Sequence, residues 1–241
     1  MKTKWDKIYI SCGKLVLAGE YNLISGGYGL SLALNRMNTL YWKNSPVFSY
    51  NARYLDTTIS DRKLLKDFDL NGNFLSKIDW QSYCGWGSSG ACLSNIAKFL
   101  KKTPSEIPYS GSGIDIYTSF HMKNLLYKKE NPKIFELHPE IKKHMFFGVL
   151  GKKVKSPALS NIIFPEELNS IILEIFQCKK IDEFIILLTA HDKIISQTIK
   201  IPCFFESGSA YSKYLGTWGG DTVLLIDPKN KKNLYDSSFL L

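Results

Sequence analysis

Apolar and polar residues alternate along the first part of this chain and recur at three- and four-residue intervals later on. Residues 7–16 and 29–42 alternate and are rich in β-branched and aromatic side chains, and residues 47–54 form a third run of the same kind, so three strands are predicted before residue 55. Gly26-Gly27 lies between the first two and marks a turn, suited to a hairpin or to a close approach of backbone to ligand. From Ser89 the period changes: Leu93, Ile96, Ala97 and Leu100 fall on one helical face, in a helix that begins directly after a glycine cluster. A short helix is predicted over 114–122, followed by strand-like segments at 125–127 and 134–137. Two longer helices follow. One starts at Pro165, with Leu168, Ile171, Ile172, Ile175 and Phe176 on a face; the other starts after Asp182, carries Phe184, Ile185, Leu188, Ile195 and Ile199, and ends at Pro202. Residues 222–226 read as a buried strand behind the glycine-rich stretch 216–220, and no repeat or low-complexity linker interrupts the pattern.

A chain of 241 residues that is 44% hydrophobic can bury a sizeable core, as one large domain or as two packed layers. Its 31 basic and 22 acidic residues give a formal charge of +9, which favours anionic partners such as nucleotides and phosphorylated metabolites. The lysines cluster in loop-like runs at 152–153 and 229–232 and form no arginine-rich face, so nucleic acid is not the expected partner. Cys12, Cys84, Cys92, Cys178 and Cys203 include no CxxC pair and no spacing that joins His121, His138, His144 or His191 into a metal site, so reduced thiols are expected. No signal-peptide core or membrane-length apolar run is present, which predicts a cytoplasmic protein without a membrane partner.

Three clusters carry candidate chemistry. GWGSSG at 85–90 leads straight into a helix whose first N–H groups lack partners; its glycines allow close backbone approach, and the hydroxyls of Ser88 and Ser89 suit phosphate oxygens or a magnesium ion. The same string fits GxGxxG, so a dinucleotide loop or a plain structural turn stays open, but it lacks the Gly-Lys-Ser/Thr ending of a Walker loop and the GxSxG spacing of a nucleophile elbow. SGSGID at 110–115 puts Asp115 at the start of a short helix, either as a helix N-terminal charge or as the group that orients or deprotonates a substrate hydroxyl. Lys14 stands in the apolar strand GKLVLAGEY, where it needs a partner such as Asp115 or a phosphate. KYLGTWGGD at 213–221 is a hairpin or a loop that closes over a ligand.

In this order the segments GKLVLAGEY, GWGSSGACLSNIAKF, SGSGIDIYTS and KYLGTWGGD resemble the motifs of the GHMP kinase superfamily, of mevalonate and phosphomevalonate kinases above all, and the combination GSG-x-DI with WGGD is similar to the compact bacterial GYDIA-type branch. The resemblance implies an α+β fold with an N-terminal half like ribosomal protein S5 domain 2, over 1–140, and a ferredoxin-like C-terminal half, over 141–241. It implies Asp115 as catalytic base with Lys14 beside it, Gly85, Gly87, Ser88, Ser89 and Gly90 around the triphosphate of ATP, Ser88 or Ser89 on magnesium, and Glu20, Gly216, Gly219 and Gly220 at the substrate. Trp86 replaces the usual small aliphatic residue of the loop, and Glu106 is the acidic residue available between Gly90 and Asp115 where mevalonate kinases supply a magnesium ligand.

The expectation is therefore an ATP- and magnesium-dependent phosphotransferase acting on a small hydroxy or phosphorylated acid, with mevalonate and phosphomevalonate foremost, as a monomer or a homodimer. Its alternatives are a nucleotide-binding protein of the same fold without turnover and a dinucleotide-dependent oxidoreductase.

Overall fold

The computed structural model describes residues 4–52, 71–81, 84–109, 111–129, 131–151, 162–200, 208–215 and 221–241. The predicted first strands form as β1 (Lys7–Ala18), β2 (Gly29–Lys43) and β3 (Ser49–Ala52). β4 (Asn73–Ile78) has no counterpart in the sequence reading. Four of its six residues are buried; Phe74, Ser76 and Ile78 line the buried face and Asn73, Leu75 and Lys77 the other, so a serine on the inner face and a leucine on the outer one break the alternation. After β4 come α1 (Ser88–Leu100), α2 (Ile114–His121), β5 (Asn124–Lys128), β6 (Asn131–Phe135), the short α3 (Pro139–Lys142) and β7 (Met145–Val149). The two strongly periodic helices are α4 (Glu166–Gln177) and α5 (Ile181–Ile199), and the chain continues through β8 (Tyr211–Leu215) and β9 (Thr222–Ile226).

The long β2 organises the first sheet. One of its edges pairs with β1; the other pairs with β4 through residues 38–43 and with β5 through residues 29–31, while β3 and β6 extend the sheet beyond them. Every pairing in the described residues is antiparallel except β3 with β4. This topology differs from the doubly wound parallel sheet that a dinucleotide reading of GxGxxG requires. β7, β9 and β8 form a second antiparallel sheet in that order.

Helices α1 and α2 cover one face of the first sheet, where Leu93, Ile96 and Ala97 meet Leu40 and Phe74, and Ile114 and Tyr117 meet Val16 and Leu125. The other face presents Leu15, Leu17, Leu30 and Leu32 to a cluster that also contains Leu168 and Ile172 of α4, Phe184 and Leu188 of α5, and Leu215, Leu224 and Ile226 of the second sheet. Alternation along β1 thus sends Leu15 and Leu17 to one side and Lys14 and Val16 to the other. The C-terminal segment returns to the first sheet, where Leu240 bridges Leu34 and the Leu241 N–H donates to the Ala33 carbonyl at 3.0 Å. Among the described residues no helix is long and apolar enough to cross a membrane.

Candidate active site

Lys14 reaches its position through an irregularity in β1. The register with β2 shifts between Cys12 and Lys14, and the Lys14 N–H donates instead to the Trp86 carbonyl at 3.0 Å, which joins the edge of β1 to the GWGSSG loop. The lysine side chain then runs beneath Gly87. A Cβ at Gly87 would come within 2.8 Å of Lys14 Cε and 2.9 Å of its Cγ, and the residue has φ of 72°, so both space and backbone demand glycine. Beyond it Lys14 Nζ meets Asp115 Oδ1 at 2.8 Å, with the two side chains 11% and 25% exposed. Both residues are brought together as the strand lysine and the helix-start aspartate lead one to expect.

Asp115 lies in the first turn of α2, and Gly90 in the first turn of α1 sets the crossing of the two helices. A Cβ on Gly90 would stand 2.7 Å from Asp115 Cβ and 3.1 Å from its carbonyl carbon. The Ser94 hydroxyl locks the same crossing with hydrogen bonds to the Gly90 carbonyl at 2.7 Å and the Ile116 carbonyl at 2.8 Å. Gly90 therefore places the aspartate, a role distinct from the phosphate contact read from its motif.

The N-terminus of α1 is open. Gly87 is its N-cap, no side chain caps it, and no acidic residue lies in its first turn. The hydroxyls of half-buried Ser88 and exposed Ser89 carry no hydrogen bond among the described residues. Unpartnered amides, a favourable helix dipole and two free hydroxyls beside a lysine make an anion-binding arrangement. Asp221 packs against the outer end of the loop: a Cβ on Gly85, whose φ is 71°, would lie 2.6 Å from Asp221 Oδ2.

Trp86 turns away from this surface and is 2% exposed. Its Nε1–H donates to Thr222 Oγ1 at 2.9 Å, Thr222 in turn donates to the Cys84 carbonyl at 2.9 Å, and the indole stacks edgewise on Phe239 at 4.8 Å between centroids. The large residue in place of a small aliphatic one thus anchors the loop to β9 and to the C-terminal segment.

The other expected residues fall in three places. Glu20 follows β1, its side chain 5% exposed, with Oε1 3.9 Å from Lys213 Nζ and Oε2 unpartnered among the described residues. Glu106 is exposed and caps a short 3-10 turn by accepting from the Thr103 N–H at 2.8 Å and hydroxyl at 2.7 Å, bonds that hold its carboxyl below the usual range and commit it away from a metal. Gly216, Gly219 and Gly220 lie outside the described residues, between the paired ends Leu215 and Thr222. Tyr109 was not singled out by any motif: the Asp115 carboxylate, and after it burial, pushes its phenol up. Cys12, Cys84 and Cys178 are buried thiols outside any disulfide, and Cys92 is buried as well.

No protein-family model matches the sequence, and no curated protein matches it. Similarity to solved structures defines a class for the fold: it is that of the GHMP kinases, over nearly the whole chain. Streptococcus pneumoniae phosphomevalonate kinase, in complex with phosphomevalonate and AMPPNP, superposes with a TM-score of 0.70 at 14% identity, covering 93% of each chain. Methanococcus jannaschii mevalonate kinase gives 0.65 at 16% identity over 97% of this chain and 93% of that one, and Lactococcus lactis galactokinase complexed with galactose gives 0.66 at 9% identity over 95% and 87%.

Proposed function

We infer that the protein is a cytoplasmic kinase transferring the γ-phosphoryl group of ATP to a small hydroxy or phosphorylated acid, mevalonate and phosphomevalonate being the first acceptors to test. The observation that carries this reading is the 2.8 Å Lys14–Asp115 pair lying directly beneath the open N-terminus of α1. An accessible ion pair beside unpartnered amides has the parts of a phosphoryl-transfer site, in which positioning and charge neutralisation supply most of the catalysis. The complex of a structural neighbour with AMPPNP and phosphomevalonate supports the choice of nucleotide and acceptor. The halves we propose, divided near residue 140, separate the two sheets.

The amides at the start of α1 would bind the phosphates, and Ser88 and Ser89 would hold them and a magnesium ion. The donor set fits that ion: magnesium keeps most of its water and takes few protein oxygens beside those of the nucleotide. Bound there, it would neutralise charge on the triphosphate. Asp115 Oδ1 is engaged by Lys14, and Oδ2 carries no hydrogen bond among the described residues, so it is the oxygen that accepts the proton of an acceptor hydroxyl. As the acceptor's hydroxyl oxygen, its proton passing to Oδ2, bonds to the γ-phosphorus, the bond from phosphorus to the β–γ bridging oxygen breaks, ADP leaves, and the Lys14 ammonium offsets charge on the transferring group. A phosphorylated acceptor attacks as its anion and needs no base. Glu20 contacts the acceptor, a reading supported by its buried carboxylate oxygen without a partner among the described residues.

The test is a titration with ATP and magnesium alongside an ATP-consumption screen over hydroxy acids, phosphorylated acids and sugars. Binding with turnover on one acceptor class supports the kinase; binding with no turnover on any makes the chain a nucleotide-binding protein of this fold, and absence of binding removes the reading.

A further inference from the structure

His191, Asp192, Tyr211 and Lys213 take no part in the proposed transfer, yet all four are buried. His191 and Asp192 occupy the apolar stripe of α5 between Leu188 and Ile195, and Lys213 is the inward-facing centre of β8. Such positions are ordinarily aliphatic, and a buried ion pair contributes no more to stability than apolar groups of the same volume. Its hydrogen bonds do have direction, and here they converge on one stretch of backbone. Asp192 Oδ2 accepts from the Tyr211 hydroxyl, and Oδ1 accepts from Lys213 Nζ at 2.9 Å and from His191 Nδ1 at 2.8 Å. Burial pushes the Asp192 carboxyl up, but the Lys213 ammonium, His191 and Tyr211 together outweigh it and hold the group at about 2, so it is a carboxylate.

Two arms leave this carboxylate. Lys213 Nζ donates to the Leu17 carbonyl at 3.0 Å, and His191 Nε2 accepts from the Gly19 N–H at 2.8 Å, which puts the single proton of the imidazole on Nδ1. The backbone is thus gripped at residues 17 and 19, immediately before Glu20. Gly19 has no slack of its own: its φ is 77°, and a Cβ there would stand 2.3 Å from the Tyr28 carbonyl oxygen. We propose that Asp192 is a positioning residue which, through His191 and Lys213, fixes residues 17–19 so that Glu20 offers one carboxylate oxygen to a hydroxyl of the acceptor. The proposal rests on the reading of Glu20 as an acceptor contact, and it assigns the two arms to acceptor binding, separate from the nucleotide loop.

The test begins with the unmodified protein. Long-range 15N–1H correlation of the His191 ring should show protonated Nδ1 and bare Nε2; a protonated Nε2 overturns the proposal. Asp192→Asn strands the Lys213 ammonium, so Asp192→Asn/Lys213→Met, which removes both charges, is made beside it. In the folded variant, amide exchange at Gly19 should quicken on the order of tenfold or more, while the Lys14 amide, bonded to the Trp86 carbonyl, stays within about twofold. Unchanged exchange at Gly19 overturns the proposal. With mevalonate as probe the variant should raise acceptor KM about tenfold and leave ATP Kd within about twofold, whereas equal losses in both would reduce the network to general scaffolding. Glu20→Gln separates the two readings: normal acceptor KM in that variant removes Glu20 from the acceptor site and with it this proposal, while ATP binding continues to decide the kinase assignment.

Discussion

The chain contains two lysine–aspartate pairs of nearly equal length, Lys14–Asp115 at 2.8 Å and Lys213–Asp192 at 2.9 Å, whose surroundings give them opposite properties. The first is 11% and 25% exposed and lies under an open helix N-terminus; the second is 0% exposed on both sides and is saturated by histidine, tyrosine and backbone. The first keeps some exposure to solvent, so in the proposed reaction its partners can be exchanged. The second has been fully desolvated, and its Coulombic attraction offsets that cost only while every bond is made. Proximity of opposite charges therefore does not identify a reactive pair; access does.

This contrast is sharpest in folding stability. Asp192→Asn should destabilise the protein by about 3–5 kcal/mol, the range for removing one partner of a buried pair, whereas Asp115→Asn should cost no more than about 1 kcal/mol. Denaturant melts of the two variants check this, and equal losses would dissolve the distinction. Activity should invert the order. Asp115→Asn is expected to lower turnover about 10²-fold or more with ATP affinity retained, and Lys14→Ala combined with it to lose much less than the product of the single effects.

Acid should separate the pairs as well. The Asp192 carboxyl is held at about 2 against an ordinary 3.8, so its contribution is present above pH 4 and disappears as pH falls toward 2. That contribution is on the order of 2 kcal/mol, and Asp192→Asn/Lys213→Met should flatten the corresponding limb of a stability–pH profile. The smallest effect belongs to the loop's anchor: Trp86→Phe keeps a ring against Phe239 but deletes the bond to Thr222 Oγ1, and should cost about 1 kcal/mol in a melt.

The accessible pair was legible in the sequence because each member breaks a local pattern: a lysine in an apolar strand, and an aspartate directly after a glycine turn. The buried pair was not, although the stripe of α5 held a signal. His191 and Asp192 fall at the third and fourth positions after Leu188, where an apolar residue is due, and their presence there requires charge to be met inside the core. Strands were read where β-branched and aromatic residues mark them, as in β1, β2 and the wholly buried β9, and two others, β4 and β7, were missed. β7 buries four of its five residues and has no polar face to reveal its period, and in β4 the buried Ser76 and Leu75 each interrupt the pattern of their face. Gly90 shows a further limit: its motif pointed to phosphate, while the contact that forbids a side chain is with Asp115, a helix crossing that no spacing encodes. The influence of Asp115 on the Tyr109 phenol likewise depends on the fold and on no motif.

The central claim, that Lys14 and Asp115 form a reactive pair beneath a nucleotide loop, is tested most directly by measuring ATP affinity and acceptor phosphorylation side by side in the parent protein and in Asp115→Asn. The account predicts that both bind ATP with dissociation constants within about twofold, and that product forms about 10²-fold or more slowly in the variant. Equal rates in the two proteins, or a parent that binds no ATP, would contradict it.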